Sequence, residues 1–180
     1  MIDACVLYPT VMREMVLGVA SKGVFEPQWS PRLLEEWARA AARLGPQGEA
    51  QARGEIAMLQ AAWPRASVTP QPGLLQRLWL PDDNDIHVLG AAIAGSSDVI
   101  MTLNAKDFPR NILAEEGLSR IDPDGYLHQV WLNQPEVVQD VAEYVLDQAR
   151  AMSGSDWTMR GLMKKARLPR IGKALAQPIP

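Results

Sequence analysis

Cysteine is almost missing from this sequence: a single residue, Cys5, in 180. One thiol builds neither a disulfide framework nor a cysteine-rich zinc site. Long apolar runs are missing too. The longest stretch, Val88 to Ala94, is too short to span a bilayer. The first residues show no basic cluster followed by an apolar segment, so no signal peptide is read there and a cytoplasmic protein without a membrane anchor is expected. Repeats and low-complexity tracts are lacking as well. A charged fraction of 22% argues against wholesale disorder. What is present, 180 residues of which 47% are hydrophobic, suffices for one α/β domain with a core, plus an appendage.

The net charge of −3 hides an asymmetry. Residues 1–155 carry a balance of −8 and residues 156–180 a balance of +5. An acidic body with a basic tail is not the profile of a plain nucleic-acid-binding domain. It fits an acidic metal site plus a separate basic patch formed by Arg160, Lys164 and Lys165, which are candidates for contact with nucleic-acid phosphates. A solvated helix face explains the same charges.

Ile2 to Leu7 is a short apolar run holding one Asp and reads as a buried strand. Val11, Met12, Met15, Val16 and Ala20 follow at helical spacing after Pro9, and Gly23 can end that helix. Val24-Phe25 reads as a short strand or its remnant. Ser30-Pro31 marks a helix start, with Leu33, Leu34, Trp37, Ala38 and Ala41 as its buried stripe. A second helix is expected from about Gln47 to Ala62, and a strand over Ala66 to Thr69. Asp82 to Asn84 supplies a cap for an apolar helix over Asp85 to Ala94, stopped by Gly95, and Asp98 to Leu103 reads as a strand. Strands alternating with helices predict a three-layer α/β domain around a parallel sheet. Beyond Pro123 the texture turns helical. Asn133-Gln134-Pro135-Glu136 reads as a capping box. Ser155 is placed as the cap of a last basic helix, which Pro169 ends. Residues 1–124 are thus read as the catalytic domain and 125–180 as a helical C-terminal extension.

In open α/β sheets functional residues gather at the carboxyl ends of the strands. Asp3 lies in the first strand, and its burial without a partner would cost several kcal/mol, on the order of any unpaired buried charge. Asp85 opens a helix facing the same edge, Asn104 and Asp107 follow the Asp98–Leu103 strand, and Glu36 sits on an early helix. Clustered carboxylates raise one another's pKa. A hard divalent cation such as Mg2+ or Mn2+ removes that conflict. A salt bridge for Asp3, a cap for Asp85 and a loop turn for Asp107 are the structural alternatives. Asp82 and Asp83 read as caps, Cys5 as a small core residue, and His87 as a packing or hydrogen-bonding residue. Trp29, Trp37 and Trp63 read as core or interface anchors.

Four segments resemble a known family. Asp3-Ala4-Cys5-Val6-Leu7-Tyr8-Pro9 looks like the opening motif of one branch of PIN-domain toxins, the VapC-like toxins. Trp29-Ser30 with Leu33-Leu34-Glu35-Glu36 is similar to the branch's early helix, with Glu36 rather than Glu35 at the acidic position. Leu80-Pro81-Asp82-Asp83-Asn84-Asp85-Ile86-His87-Val88-Leu89 resembles its third motif, and Thr102-Leu103-Asn104-Ala105-Lys106-Asp107-Phe108-Pro109 its fourth. The C-terminal helices, with Gly161-Leu162 and Arg167-Leu168-Pro169-Arg170, also look like the extension of this branch.

The resemblance implies a PIN fold and an Mg-dependent endoribonuclease, the toxin of a type II toxin–antitoxin pair, hydrolysing RNA phosphodiesters with metal-activated water. It assigns Asp3, Glu36, Asp85 and Asp107 to one or two metal ions and Asn104 to a supporting polar position. It implies a homodimer and a cognate antitoxin protein. Two departures stand out. The branch has Asn where Cys5 stands, and a thiol hydrogen-bonds more poorly than an amide, so an altered site is expected. The chain begins two residues before Asp3, where the branch has several apolar residues, so the first strand reads as clipped. An inactive PIN-like RNA- or protein-binding module is the alternative. A haloacid-dehalogenase-type phosphatase is disfavoured, because it needs a second Asp where Cys5 stands.

Overall fold

The extended segment that opens the chain stops at Asp3. In the computed structural model, which describes residues 1–177, Ile2 forms a parallel bridge to Met101 and the backbone then turns directly into helix. The carbonyl of Asp3 accepts from the Val6 and Leu7 amides at 3.0 and 3.2 Å. This corrects the strand expected over Ile2 to Leu7. A buried apolar run of that length has no periodicity to separate strand from helix, and Val6 and Leu7 are both fully buried.

The elements in chain order are α1 (Ala4–Leu7), α2 (Thr10–Ser21), α3 (Pro31–Ala42), α4 (Pro46–Ala62), α5 (Pro72–Leu75), a 3-10 turn (Asp83–Asp85) and α6 (Ile86–Ala94). There follow β1 (Val99–Met101), α7 (Arg110–Glu115), β2 (Ser119–Ile121), α8 (Pro123–Asn133), α9 (Pro135–Ser153), α10 (Met159–Lys165) and α11 (Pro169–Ala174). The contacts divide the chain into two compact units. The first comprises Met1–Tyr8 and Pro27–Ile121, and the second Pro9–Glu26 and the chain from Asp122 on. The second unit is therefore discontinuous: α2, placed by the sequence in residues 1–124, groups with the C-terminal helices.

In the first unit β1 pairs in parallel with β2, Val99 opposite Ser119 and Met101 opposite Ile121. Single parallel bridges extend the array, Ile2 to Met101 and Trp29 to Ser67, and the Ile2 amide donates to the Gln28 carbonyl at 2.8 Å. Neighbouring segments thus run in the order Ser67, Trp29, Ile2, β1, β2. The α/β class with a parallel sheet holds, but most of its strands are reduced to one or two residue pairs. Ala66 to Thr69, expected as a strand, contributes only the Ser67 bridge. Helix α3 starts where Ser30 and Pro31 predict: the Ser30 hydroxyl accepts from the Leu33 amide at 3.2 Å, and the whole predicted stripe from Leu33 to Ala41 is buried. It packs on α4, and α1 packs on it.

In the second unit α2 packs on α9 so closely that a Cβ added to Gly18 would lie 2.5 Å from a Val141 methyl. Helix α8 contacts α9 and α11, and α10 lies on α11. Several details differ from expectation. Val24-Phe25 forms no strand; the Phe25 ring meets Tyr126 edge to face at 5.3 Å. The capping box at Asn133 is not made, because Asn133 is still the last residue of α8 and its amide donates to the Gln129 carbonyl. Thr158, not Ser155, caps the basic helix, through a bond from the Gly161 amide at 3.1 Å. Pro169 opens α11 rather than ending α10. The Asp124 carboxylate accepts from the amides of Arg170 and Ile171 at 2.9 Å each, satisfying two of the donors that a helix start leaves open.

Candidate metal centre

The 3-10 turn ahead of α6 sets up the site. Such a turn has about three residues per turn, so side chains three apart fall on one side. Asp82 and Asp85 are so related. Asp82 still acts as the expected cap, its Oδ1 accepting from the Asn84 backbone amide at 2.9 Å and the Asn84 side-chain amide at 3.0 Å. Together with Asp107, which follows β1, the two Asp residues offer carboxylate oxygens that all lie within 4.8 Å of one another. Asp107 is buried and Asp85 half-buried.

Asp3 stands beside this group at the end of the central segment. Its Oδ2 accepts from the Thr102 hydroxyl at 2.6 Å and from the Cys5 thiol at 3.0 Å. The Thr102 oxygen in turn accepts from the Asn104 amide at 2.9 Å, and the Cys5 sulfur from the Leu103 amide at 3.3 Å. The thiol at position 5 is thus engaged with the site rather than an inert core filler. Burial, followed by the neighbouring Asp3 charge, pushes it up to about 12, so it stays protonated and keeps donating. The Asn104 side chain donates to Asp85 Oδ2 at 3.1 Å.

The electrostatics of the group are unbalanced. Burial, then the charges of Asp3, Asp82 and Asp107, push the Asp85 carboxyl up to about 6, with the His87 imidazole opposing them. Lys106 Nζ lies 3.6 Å from Asp107 but is almost fully in solvent, so it offsets little of the charge.

Glu36 is placed differently. Its Oε1 accepts from the buried His87 Nε2 at 2.9 Å and from Arg32 Nε at 3.3 Å. Burial pushes the Glu36 carboxyl up, but the His87 and Arg32 hydrogen bonds outweigh it and hold it below the usual carboxylate range. Glu36 thus meets the head of α6 through His87, two residues after Asp85, while Asp82 is the residue in the tight carboxylate group. Its neighbour Glu35 is bound by Arg39 and Arg53 at 3.0 and 3.1 Å. Sequence reasoning favoured a cap over a ligand for Asp82; the structure shows the cap and also sets its carboxylate in the acidic group. The three-residue step to Asp85 was the available signal.

A model of the PIN domain matches residues 1–106. The chain belongs to the PIN domain family. The match takes in Asp3, Glu36, Asp82, Asp85 and Asn104, and stops one residue before Asp107. No curated protein and no solved structure matches the chain significantly. PIN domains are in general nucleases that use divalent metals. The donor set of this PIN domain fits such an ion. It consists of hard carboxylate oxygens with an amide beside them, carries an excess of negative charge, and includes the Asp85 carboxyl, pushed up to about 6 by burial and then by its carboxylate neighbours.

Proposed function

We propose that this PIN domain is a metal-dependent endoribonuclease, the toxin of a type II toxin–antitoxin pair of the VapC-like branch. The observation that supports it most is the group of Asp82, Asp85 and Asp107 oxygens within 4.8 Å of one another. Asp3 is held beside it by Thr102 and Cys5. Asp3, Asp82, Asp85 and Asp107 would hold one or two Mg2+ or Mn2+ ions. Bound there, the cation supplies an activated water and offsets charge on the phosphodiester. The protein's own residues prepare the place. Asn104 orients Asp85, Thr102 and Cys5 orient Asp3, and the neutral thiol of Cys5 is unsuited to act as a nucleophile. Glu36, which the motif likeness assigns to the ion, is engaged by His87 and Arg32. Its proposed part is to hold the imidazole and with it the head of α6, next to Asp85.

An acidic centre repels an RNA backbone, so positive charge elsewhere must hold the substrate. Arg160, Lys164 and Lys165 of α10 are the proposed phosphate contacts; all three are exposed. As a toxin the chain would act as a homodimer, and its antitoxin would cover the carboxylates, an inserted Arg mimicking the cation's charge.

Expression in bacteria tests the toxin reading. The wild-type chain without a partner should arrest growth, and Asp107→Ala should relieve the arrest. Unaffected growth on strong soluble expression of the wild type would instead favour an inactive binding module.

A further inference from the structure

The chain has six tryptophans. Trp29, Trp37 and Trp131 are buried. Trp63 is half-buried, and so is Trp157, whose ring lies under the Lys165 ammonium at 4.8 Å and whose indole N–H donates to Ser153. Trp79 alone is mainly in solvent, at 62% exposure. An indole left in water forgoes the burial that its large apolar surface favours. Nothing among the described residues bonds or stacks with it.

Its position is fixed by its neighbours. Leu78 and Leu80 on either side are buried, so in this irregular segment Trp79 is the residue turned outward. Arg77 forms a two-pronged ion pair with Glu116 at 2.6 and 2.8 Å, tying the segment to the end of α7. Three residues further on is Asp82, a member of the carboxylate group. Three peptide steps place the two α-carbons at most about 11 Å apart. Trp79 is therefore exposed on a pinned backbone, its α-carbon at most about 11 Å from that of a member of the candidate centre.

The chemistry of that neighbourhood selects the ligand. Asp3, Asp82, Asp83, Asp85 and Asp107 make it strongly anionic, so a contact to phosphate is unfavourable there except through a cation. The face of a nucleobase carries no charge, and stacking on an aromatic ring is indifferent to base identity. We propose that Trp79 is a base-stacking platform that seats one unpaired base of a single-stranded RNA next to the carboxylate centre. This rests on the nuclease reading and adds one substrate contact to it.

The test uses the full chain as wild type, Trp79→Ala and Trp79→Phe. Each is titrated by fluorescence anisotropy, in EDTA, against a short single-stranded RNA and against an abasic strand of equal length. Trp79→Ala should weaken binding of the RNA about five-fold or more and leave the abasic strand unchanged. Trp79→Phe should keep most of the affinity. In parallel magnesium-dependent cleavage, Trp79→Ala should raise KM and leave kcat in place. If Trp79→Ala binds both strands as the wild type does, the proposal is overturned and the indole is left for a protein partner. Cleavage by the wild type with an unaltered KM in Trp79→Ala would sink the stacking role alone. Absence of wild-type cleavage would sink the nuclease reading, and the base-dependent loss of binding would still support Trp79.

Discussion

The surroundings of Asp85 work against its ionisation, and that leaves a measurable trace in stability. Its carboxyl rises from 3.8 to about 6, through burial first and then through Asp3, Asp82 and Asp107. The folded state therefore holds this proton more tightly than the unfolded chain does. Stability in EDTA gains from the protonated form at low pH and loses that gain as pH rises from about 4 to about 6. Asp85→Asn keeps the shape and removes the charge. It should stabilise the metal-free protein by about 1 kcal/mol at neutral pH, a figure reduced for the partial exposure of the group, and by nothing near pH 4. Urea denaturation of both proteins in EDTA at the two pH values checks this; an equal effect at both would remove the charge explanation. At this scale much of the site was legible. Asp3 stood out because a lone carboxylate in an apolar run needs a reason, and Asn104 because it sits just past a strand. The Thr102 and Cys5 bonds to Asp3 were not legible, since they depend on the turn into α1 that replaced the expected strand.

Among the elements, helix starts were readable wherever a single residue decides them, as at Ser30 before α3. They were misread where a neighbouring helix had already claimed the residue, as at Asn133, or where the cap comes from far along the chain, as Asp124 does for α11. Helix α10 carries the proposed phosphate contacts. Arg160, Lys164 and Lys165 are exposed, and none forms an ion pair among the described residues. Each phosphate contact on a single strand contributes roughly 0.7 to the slope of log affinity against log salt. Replacing all three with Ala should weaken RNA binding and flatten that slope by up to about 2, while cleavage at saturating RNA persists. An unchanged slope would take α10 out of the substrate path.

For the molecule as a whole, alternation of strands and helices was enough to predict the α/β class, and the order Ser67, Trp29, Ile2, β1, β2 realises it with very little regular strand. The grouping of α2 with the C-terminal helices was beyond sequence reading, because the apolar stripe of α2 shows that it is buried but not against what. Among the described residues no helix is long and apolar enough to cross a membrane. The family membership joins these levels: a short parallel sheet carries Asp3 to its edge, β1 delivers Asn104 and Asp107, and the turn before α6 adds Asp82 and Asp85. That this convergence hydrolyses RNA is the central claim. Its most direct test is cleavage of a labelled single-stranded RNA by the wild type and by Asp3→Asn, each with magnesium and with EDTA. The account predicts cleavage by the wild type in magnesium only, and a loss of at least about a hundred-fold in a folded Asp3→Asn protein. Asp3→Asn cleaving at the wild-type rate, or wild-type cleavage undiminished in EDTA, would contradict it.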